Sequence, residues 1–339
     1  MNEPGESTLT FGFHGCNAMY LCHGDLDRDG IWDEGKIAPY GEVSLPPTAG
    51  VLSYGLGVFE GLKARRCRDG RVLVFRPDAN ARRMQDSAAR IMLPPFPQEQ
   101  FLSAIDDVVR ANSDLIPKFG QGAFYLRPLQ HAIEPMLGLR PSRRCRVIIY
   151  GSPVGNYFEH AADEGLRLCV VDRSRGGRGG TAGAKVIGNY AGGIPIADQH
   201  RKLGFDDVVY LDAADRGFVS ETSGSNVFAR LSGGTLVTPA LDDQVLPGIT
   251  RDSTLQLARE FLDNPVEERE LPLELLLEDA VEVFCTGTAW TLRSVGEIVH
   301  GDKTRRYTAR STQRELLGRL RAIQRGEVED RFGWTREIS

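Results

Sequence analysis

The chain has 339 residues, of which 41% are apolar and 26% charged, and its formal net charge is −5. That length suits two domains of roughly 150 residues, and the mild acidity gives no support to nucleic acid or another polyanion as a partner. No apolar run approaches the ~20 residues a membrane helix needs, and the opening MNEPGESTLTFGFHGC lacks the basic and apolar regions of a secretion signal.

Six cysteines (Cys16, Cys22, Cys67, Cys145, Cys169, Cys285) lie scattered, with no C-x-x-C spacing. Free thiols in a reducing cytoplasm are the expectation. In chain order, residues 1–40 read as irregular and turn-rich. Within them, DLDRDGIWD spaces Asp25, Asp27, Asp29 and Asp33 like a calcium loop, but the twelfth position is Lys36 instead of a glutamate. No metal is expected there. Pro46, Pro47 and Gly50 lead into VLSYGLGVFEGLKA, 51–64, which is strand-like with close glycines, and RVLVF, 71–75, reads as a strand. Pro77 opens a helix with apolar spacing over 79–92. Residues 97–112 predict an amphipathic helix, with Phe101, Ile105, Val108 and Val109 on one face. FYLRPL and RVIIYGSPVG supply further strands.

From about Gly155 to Gly180 a loop-rich bridge contains one strand, LRLCVVD, and ends in RSRGGRGGTAGA, a composition expected to be flexible. Then come a helix over 191–204, strands DVVYLD, GFVSE and NVFARL, a helix from Thr250, a strand over 281–287 and a last helix over 311–325 closed by Gly326. The expected division is a small α/β domain over 1–155, an interdomain loop region over 156–180 and a large domain over 181–339. No internal repeat is present.

Three segments carry chemistry: GAKVIGNY at 183–190, SETSGSNVF at 220–228 and VLPGITRDS at 245–253. They offer an amine on Lys185, an acid on Glu221 and a helix start at Ile249 and Thr250. A lysine amine is protonated at neutral pH, with a typical pKa near ~10.4, and becomes a nucleophile only when desolvated or set near other cations. GGTAGAKV is not a phosphate-binding P-loop, because Ala184 separates Gly183 from Lys185 and Val186 replaces the Ser or Thr. The backbone N–H groups at a helix start can receive an anion. An amine, a carboxylate and an anion cradle are what pyridoxal phosphate requires of a protein.

In order and spacing the segments resemble the branched-chain amino-acid aminotransferases, fold-type IV pyridoxal-phosphate enzymes, in their longer, eukaryotic-like branch. The resemblance runs from about Ile37 to Gly333–Trp334. It implies an α/β (α+β) architecture, a small α/β domain with a larger domain built on a barrel-like β core, and pyridoxal 5′-phosphate between them. It makes Lys185 the Schiff-base lysine and the general base, Tyr190 the partner of the cofactor's phenolic oxygen and Glu221 the partner of its pyridine nitrogen. The phosphate falls to Ile249, Thr250, Thr288 in TGTA (286–289) and Arg83, with Arg82 as the alternative one position away. The substrate side falls to Tyr54, Phe59 and Gly61 in SYGLGVFEGLKA, Tyr125 and Arg127 in FYLRPL, Tyr157 near the bridge, and Ala289 and Trp290. EPMLGLRP, 134–141, carries the resemblance further.

The implied reaction is ping-pong transamination between a branched-chain or related hydrophobic L-amino acid and 2-oxoglutarate, in a cytoplasmic homodimer. Several residues depart from the family pattern. Trp290 stands where a smaller residue is usual, the C-x-x-C of some relatives is missing, and the segment after Lys185 reads AGGIPIA. These departures keep open a specialised biosynthetic aminotransferase, a D-amino-acid aminotransferase or aminodeoxychorismate lyase of the same fold, and a non-enzymatic binding homologue.

Overall fold

Short apolar-alternating segments punctuated by Gly and Pro fold as strands along the whole chain. The computed structural model describes residues 9–155 and 164–338. The elements run β1 (Ala18–Asp25), β2 (Lys36–Pro39), α1 (Gly50–Tyr54), β3 (Gly57–Phe59), β4 (Leu62–Arg66), β5 (Val72–Phe75), α2 (Pro77–Arg90), α3 (Gln98–Ala111), β6 (Ala123–Ala132), β7 (Arg144–Val154) and β8 (Leu166–Val171). They continue as α4 (Gly188–Ala191), α5 (Ile194–Lys202), β9 (Asp207–Leu211), β10 (Phe218–Thr222), β11 (Asn226–Leu231), β12 (Leu236–Thr238), α6 (Ile249–Phe261), β13 (Val266–Glu268) and β14 (Leu271–Pro272). The last are β15 (Ala280–Gly287), β16 (Thr291–His300), β17 (Lys303–Arg306), α7 (Ser311–Gln324) and β18 (Thr335–Ile338). None of the described helices is long and apolar enough to cross a membrane.

The chain forms two compact units. One comprises Met1–Glu159, Lys185–Gly188 and Ala322–Ser339, the other His160–Ala184 and Asn189–Arg321. The division expected from sequence put all of 181–339 in one domain. Instead, the C-terminal segment rejoins the first unit, because β18 pairs antiparallel with β5.

The first unit is built on a sheet ordered β18-β5-β4-β6-β7-β1-β2, with β3 added on β6. Residues 1–40, expected to be irregular, supply β1 and β2. From Tyr20 to Asp25 the buried and half-exposed positions of β1 alternate, and it lies hydrogen-bonded between β7 and β2. Residues 51–64, expected as one strand, split into α1, β3 and β4. Helix α2 opens with Pro at its first turn, has Asp78 there and Arg90 in the last turn, and buries Ala81, Met84 and Ala88. Helix α3 buries Phe101, Ile105, Val108 and Val109.

The second unit is a ten-stranded sheet whose main path is β13-β12-β11-β15-β16-β8-β9-β10-β14. β10 and β11 are far apart along that path yet consecutive in the chain. The tight turn between them bonds Thr222 N–H to the Ser225 carbonyl at 2.9 Å, so two strands distant along the path lie next to one another, as a curled, barrel-like sheet requires. Across the β11–β15 pair the rings of Phe228 and Phe284 stack in parallel, with centroids 5.2 Å apart. A pair of this kind adds about 1 kcal/mol beyond the area it buries.

Candidate active site

The residues singled out from sequence fall into two groups, one in each unit. In the first unit, Gly57–Phe59 offers a strand edge, and Lys185–Ile187 is stitched onto it. Phe59 N–H donates to the Lys185 carbonyl at 3.1 Å and Ile187 N–H to the Gly57 carbonyl at 3.0 Å. Lys185 N–H donates to Ser87 Oγ of α2 at 2.9 Å. The lysine is therefore fixed at its backbone on both sides. Its amine stands 4.6 Å from the centre of the Phe59 ring.

The face of β6 that carries Tyr125 and Arg127 continues this wall, since residues two apart on a strand share a face. The Arg127 guanidinium lies 4.8 Å from the Phe59 centroid and its Nη2 donates to the Tyr125 hydroxyl at 3.3 Å. Tyr125 lies over Gly61: a Cβ there would meet its hydroxyl at 2.0 Å. Phe11 packs edge-on against Tyr125 at 5.0 Å, and the buried Lys63 sets its amine 5.7 Å from the Phe11 ring. Neither Phe11 nor Lys63 was singled out from sequence. Lys63 faces Tyr125 across the β4–β6 ladder, and that pairing could have been read only from the register. Tyr54 is directed elsewhere, its hydroxyl donating to the Leu137 carbonyl. Tyr157 lies outside the described residues.

The two neighbouring arginines of α2 stand in different surroundings. Arg82 is exposed and pairs with Asp78 one turn away. Arg83 is buried, and Glu60 grips it through Nε at 2.8 Å and Nη2 at 2.7 Å. Glu60 is fully buried and also accepts from Asn80 Nδ2 at 2.8 Å. This bidentate geometry fixes the guanidinium plane.

In the second unit, Glu221 is the last residue but one of β10, with 3% of its surface exposed. The Arg175 guanidinium meets its Oε1, and Leu246 N–H donates to its Oε2 at 3.2 Å. Leu246 leads directly into α6. Its carbonyl accepts from Asn226 Nδ2 at 2.9 Å, and Gly248 passes so close that a Cβ there would lie 2.1 Å from Asn226 Oδ1. Helix α6 starts at Ile249, with Gly248 as its cap and no side-chain capping bond. Thr250, which could have been a simple cap, sits inside the first turn and is buried.

Thr288, Ala289 and Trp290 form the three-residue turn between β15 and β16, all half-buried. Thr291, which ends that turn, has φ of 69°, a strained conformation for a β-branched residue. The Trp290 ring lies against Gly287.

The Gly-rich stretch before Lys185, expected to be flexible, is pinned. Arg175 Nη2 donates to the Ala182 carbonyl at 2.6 Å, and Arg178 Nη2 reaches Asp212 at 2.9 Å and Asp242 at 3.0 Å. Burial pushes the Asp212 carboxyl up, but backbone N–H groups of Asp215 and Ala214, with Arg178 and Gln244, bring it down to about 2. Asn189 ties the far side, donating to the carbonyls of Thr181 at 2.6 Å and Ala184 at 2.9 Å. Tyr190 follows it, half-buried in α4. In the calcium-like loop, Asp27 pairs with Arg143. The described residues include no cluster of three or more His, Cys, Asp or Glu suited to a metal.

The profile of the family described as amino-transferase class IV matches residues 57–298. Branched-chain-amino-acid aminotransferase 2, chloroplastic, of Arabidopsis thaliana is 38% identical over 334 residues, covering 98% of this chain and 84% of that protein. Methionine aminotransferase BCAT4 of the same plant is 41% identical over 337 residues, covering 97% and 92%. Among solved structures, the Escherichia coli branched-chain amino acid aminotransferase superposes with a TM-score of 0.81 at 27% identity, over 96% of this chain and all of that one. The holo-form of the Thermobaculum terrenum enzyme, described as its PLP-form, superposes with a TM-score of 0.76 at 26% identity, over 96% and 100%. The chain belongs to the class IV amino-transferase family.

Proposed function

We propose that this aminotransferase uses pyridoxal 5′-phosphate to move an amino group from a branched-chain or related hydrophobic L-amino acid to 2-oxoglutarate. The products are the matching 2-oxo acid and glutamate, so atoms and electrons balance without another reactant. The observation that carries the reading is Lys185, fixed through its backbone to Ser87 and Phe59 with its amine against an aromatic wall.

The residues present fit the cofactor. The start of α6 lacks a side-chain cap, Gly248 gives close backbone approach, and Glu221 is a buried carboxylate at a strand end. Ile249, Thr250, Thr288 and Arg83 would hold the phosphate, Glu221 the ring nitrogen and Tyr190 the phenolic oxygen. When bound, the cofactor supplies an electron sink for the substrate Cα. Lys185 Nζ takes the proton from that carbon and returns it, as general base and acid. Arg127 faces the carboxylate of a dicarboxylic substrate, for which a planar guanidinium is the matching partner. Phe59 and Tyr125 wall the side that receives an apolar chain.

A second reading narrows the donor. The half-buried Trp290 turn supports a specialised L-amino-acid donor. We further propose a homodimer, supported by the exposed apolar residues Leu52, Leu137 and Leu139 on the first unit. A cytoplasmic location is supported by six free cysteines. Spectra of the purified, cofactor-loaded protein with single amino acids and no acceptor test the reading. Bleaching of the visible band by leucine, isoleucine or valine supports the branched-chain assignment. Bleaching by methionine alone supports the specialised one, and no visible band after adding pyridoxal phosphate refutes both.

A further inference from the structure

We propose that Arg175 is a positioning residue that sets the charge and orientation of Glu221 and ties it to the segment delivering Lys185. This rests on the reading of Glu221 as the partner of the cofactor's ring nitrogen. The Arg175 side chain is 6% exposed and that of Glu221 is 4% exposed. Two charges out of water are tolerated only when paired in good geometry with their remaining hydrogen-bonding positions filled. Here that condition is met twice. Arg175 takes Glu221 Oε1, and Leu246 N–H takes Oε2, so the carboxylate cannot rotate about its terminal bond without losing one donor. The same guanidinium reaches past Glu221 to the Ala182 carbonyl at 2.6 Å, three residues before Lys185. Leu246 lies three residues before Ile249, where α6 begins.

One arginine therefore joins the acid to the lysine segment, and the acid in turn joins the phosphate-facing helix start. The carboxylate is charged and oriented before any cofactor arrives. That is preorganisation, which lowers the cost of binding and of the reaction. Lysine could satisfy the charge but not the two-sided reach, since its ammonium is a single point.

The test is a double-mutant cycle between Arg175→Gln and Glu221→Gln. The readouts are the dissociation constant of pyridoxal phosphate added back to stripped protein and kcat/KM of the loaded enzyme. Arg175→Gln is expected to cost about tenfold or more in both in the native background, and less than about threefold when Glu221 is already Gln. Equal costs in the two backgrounds would mean that Arg175 only braces the loop through Ala182, which overturns the proposal. A neutral Glu221→Gln removes the reading of Glu221, and the proposal with it. Should Arg175→Gln fail to fold by circular dichroism, Arg175→Lys carries the test. Because the lysine keeps the charge but not both contacts, its cost in cofactor affinity should again be larger in the native background than when Glu221 is Gln, and equal costs in the two backgrounds overturn the proposal.

Discussion

Phe59 N–H donates to the carbonyl of Lys185 at 3.1 Å, while the amine of the same lysine stands 4.6 Å from the centre of the Phe59 ring. One residue thus fixes both ends of the lysine, its backbone through a strand-like bond and its amine through the ring. Lys185→Ala is expected to lower turnover by on the order of 10³-fold or more, the scale seen when a central catalytic group is lost. The melting temperature should be little changed, because the backbone bonds survive. Phe59→Leu keeps the strand and loses the cation–π contact, and should lower kcat/KM by roughly two- to fivefold. Steady-state assays beside thermal melts check both variants, and normal turnover in Lys185→Ala would refute the role of the lysine.

The two neighbouring arginines of α2 give a sharper contrast. Arg83→Ala leaves Glu60, which is fully buried, without its counter-charge. Breaking a buried pair from one side costs about 3–5 kcal/mol. The variant should also bind pyridoxal phosphate more weakly. Arg82→Ala removes only an exposed pair with Asp78, worth about 0.5 kcal/mol or less. Urea unfolding of the two variants measures the difference, and equal losses would contradict the distinct environments of the two side chains.

These contrasts show which parts of the fold are legible in sequence. Helix α2 is legible because its signals are local: a proline in the first turn, acid at the start, base at the end and a 3.6-residue period. Lys185, Glu221 and the 245–250 segment are legible through their motifs. β1 is not, because the alternation in AMYLCHGD is carried by Cys, His and Gly, and its partner β7 lies over a hundred residues away. Glycine composition misreads the 173–184 stretch as flexible. Its order comes from Arg175 and Arg178, whose acids on Glu221 and Asp212 are 46 and 34 residues distant. β18 is illegible for the same reason, since it pairs with a strand at the other end of the chain. Local rules find elements and motifs, whereas ion pairs closed over long sequence distances appear only in three dimensions.

Gly61→Ala tests the substrate wall. The added Cβ would lie 2.0 Å from the Tyr125 hydroxyl and 2.8 Å from its Cζ, so the ring must swing away from Gly61. Arg127 donates to that hydroxyl and lies 5.4 Å from the same ring, and it moves with it. KM for 2-oxoglutarate should rise by roughly tenfold, the scale of one lost charge-assisted hydrogen bond. The exchange of cofactor at Lys185 should be unaffected. An unchanged KM would mean that Tyr125 and Arg127 do not form the carboxylate-facing wall.

His131 gives the protein an acid sensitivity remote in kind from the active site. It is 3% exposed, neither ring nitrogen has a hydrogen-bond partner among the described residues, and it faces Arg146 across the β6–β7 ladder. Burial first, then the positive charges of Arg146 and His23, push its pKa down to about 4. In the unfolded chain the imidazole takes up a proton near pH ~6.5. Between these two values the unfolded state binds more protons than the folded one, so stability falls as pH drops through that window and levels off below it. At about pH 5 the deficit from this one group reaches about 2 kcal/mol, since each pH step of one below ~6.5 costs roughly 1.4 kcal/mol. His131→Leu replaces a buried, unpaired polar ring by an apolar group of similar size, a change that is nearly neutral at about pH 7. Urea unfolding at about pH 7 and pH 5 should show the variant losing about 2 kcal/mol less than the native protein on acidification. The same loss in both proteins would mean that His131 is protonated in the folded state under the acidic condition, against the burial and the cationic surroundings of its ring.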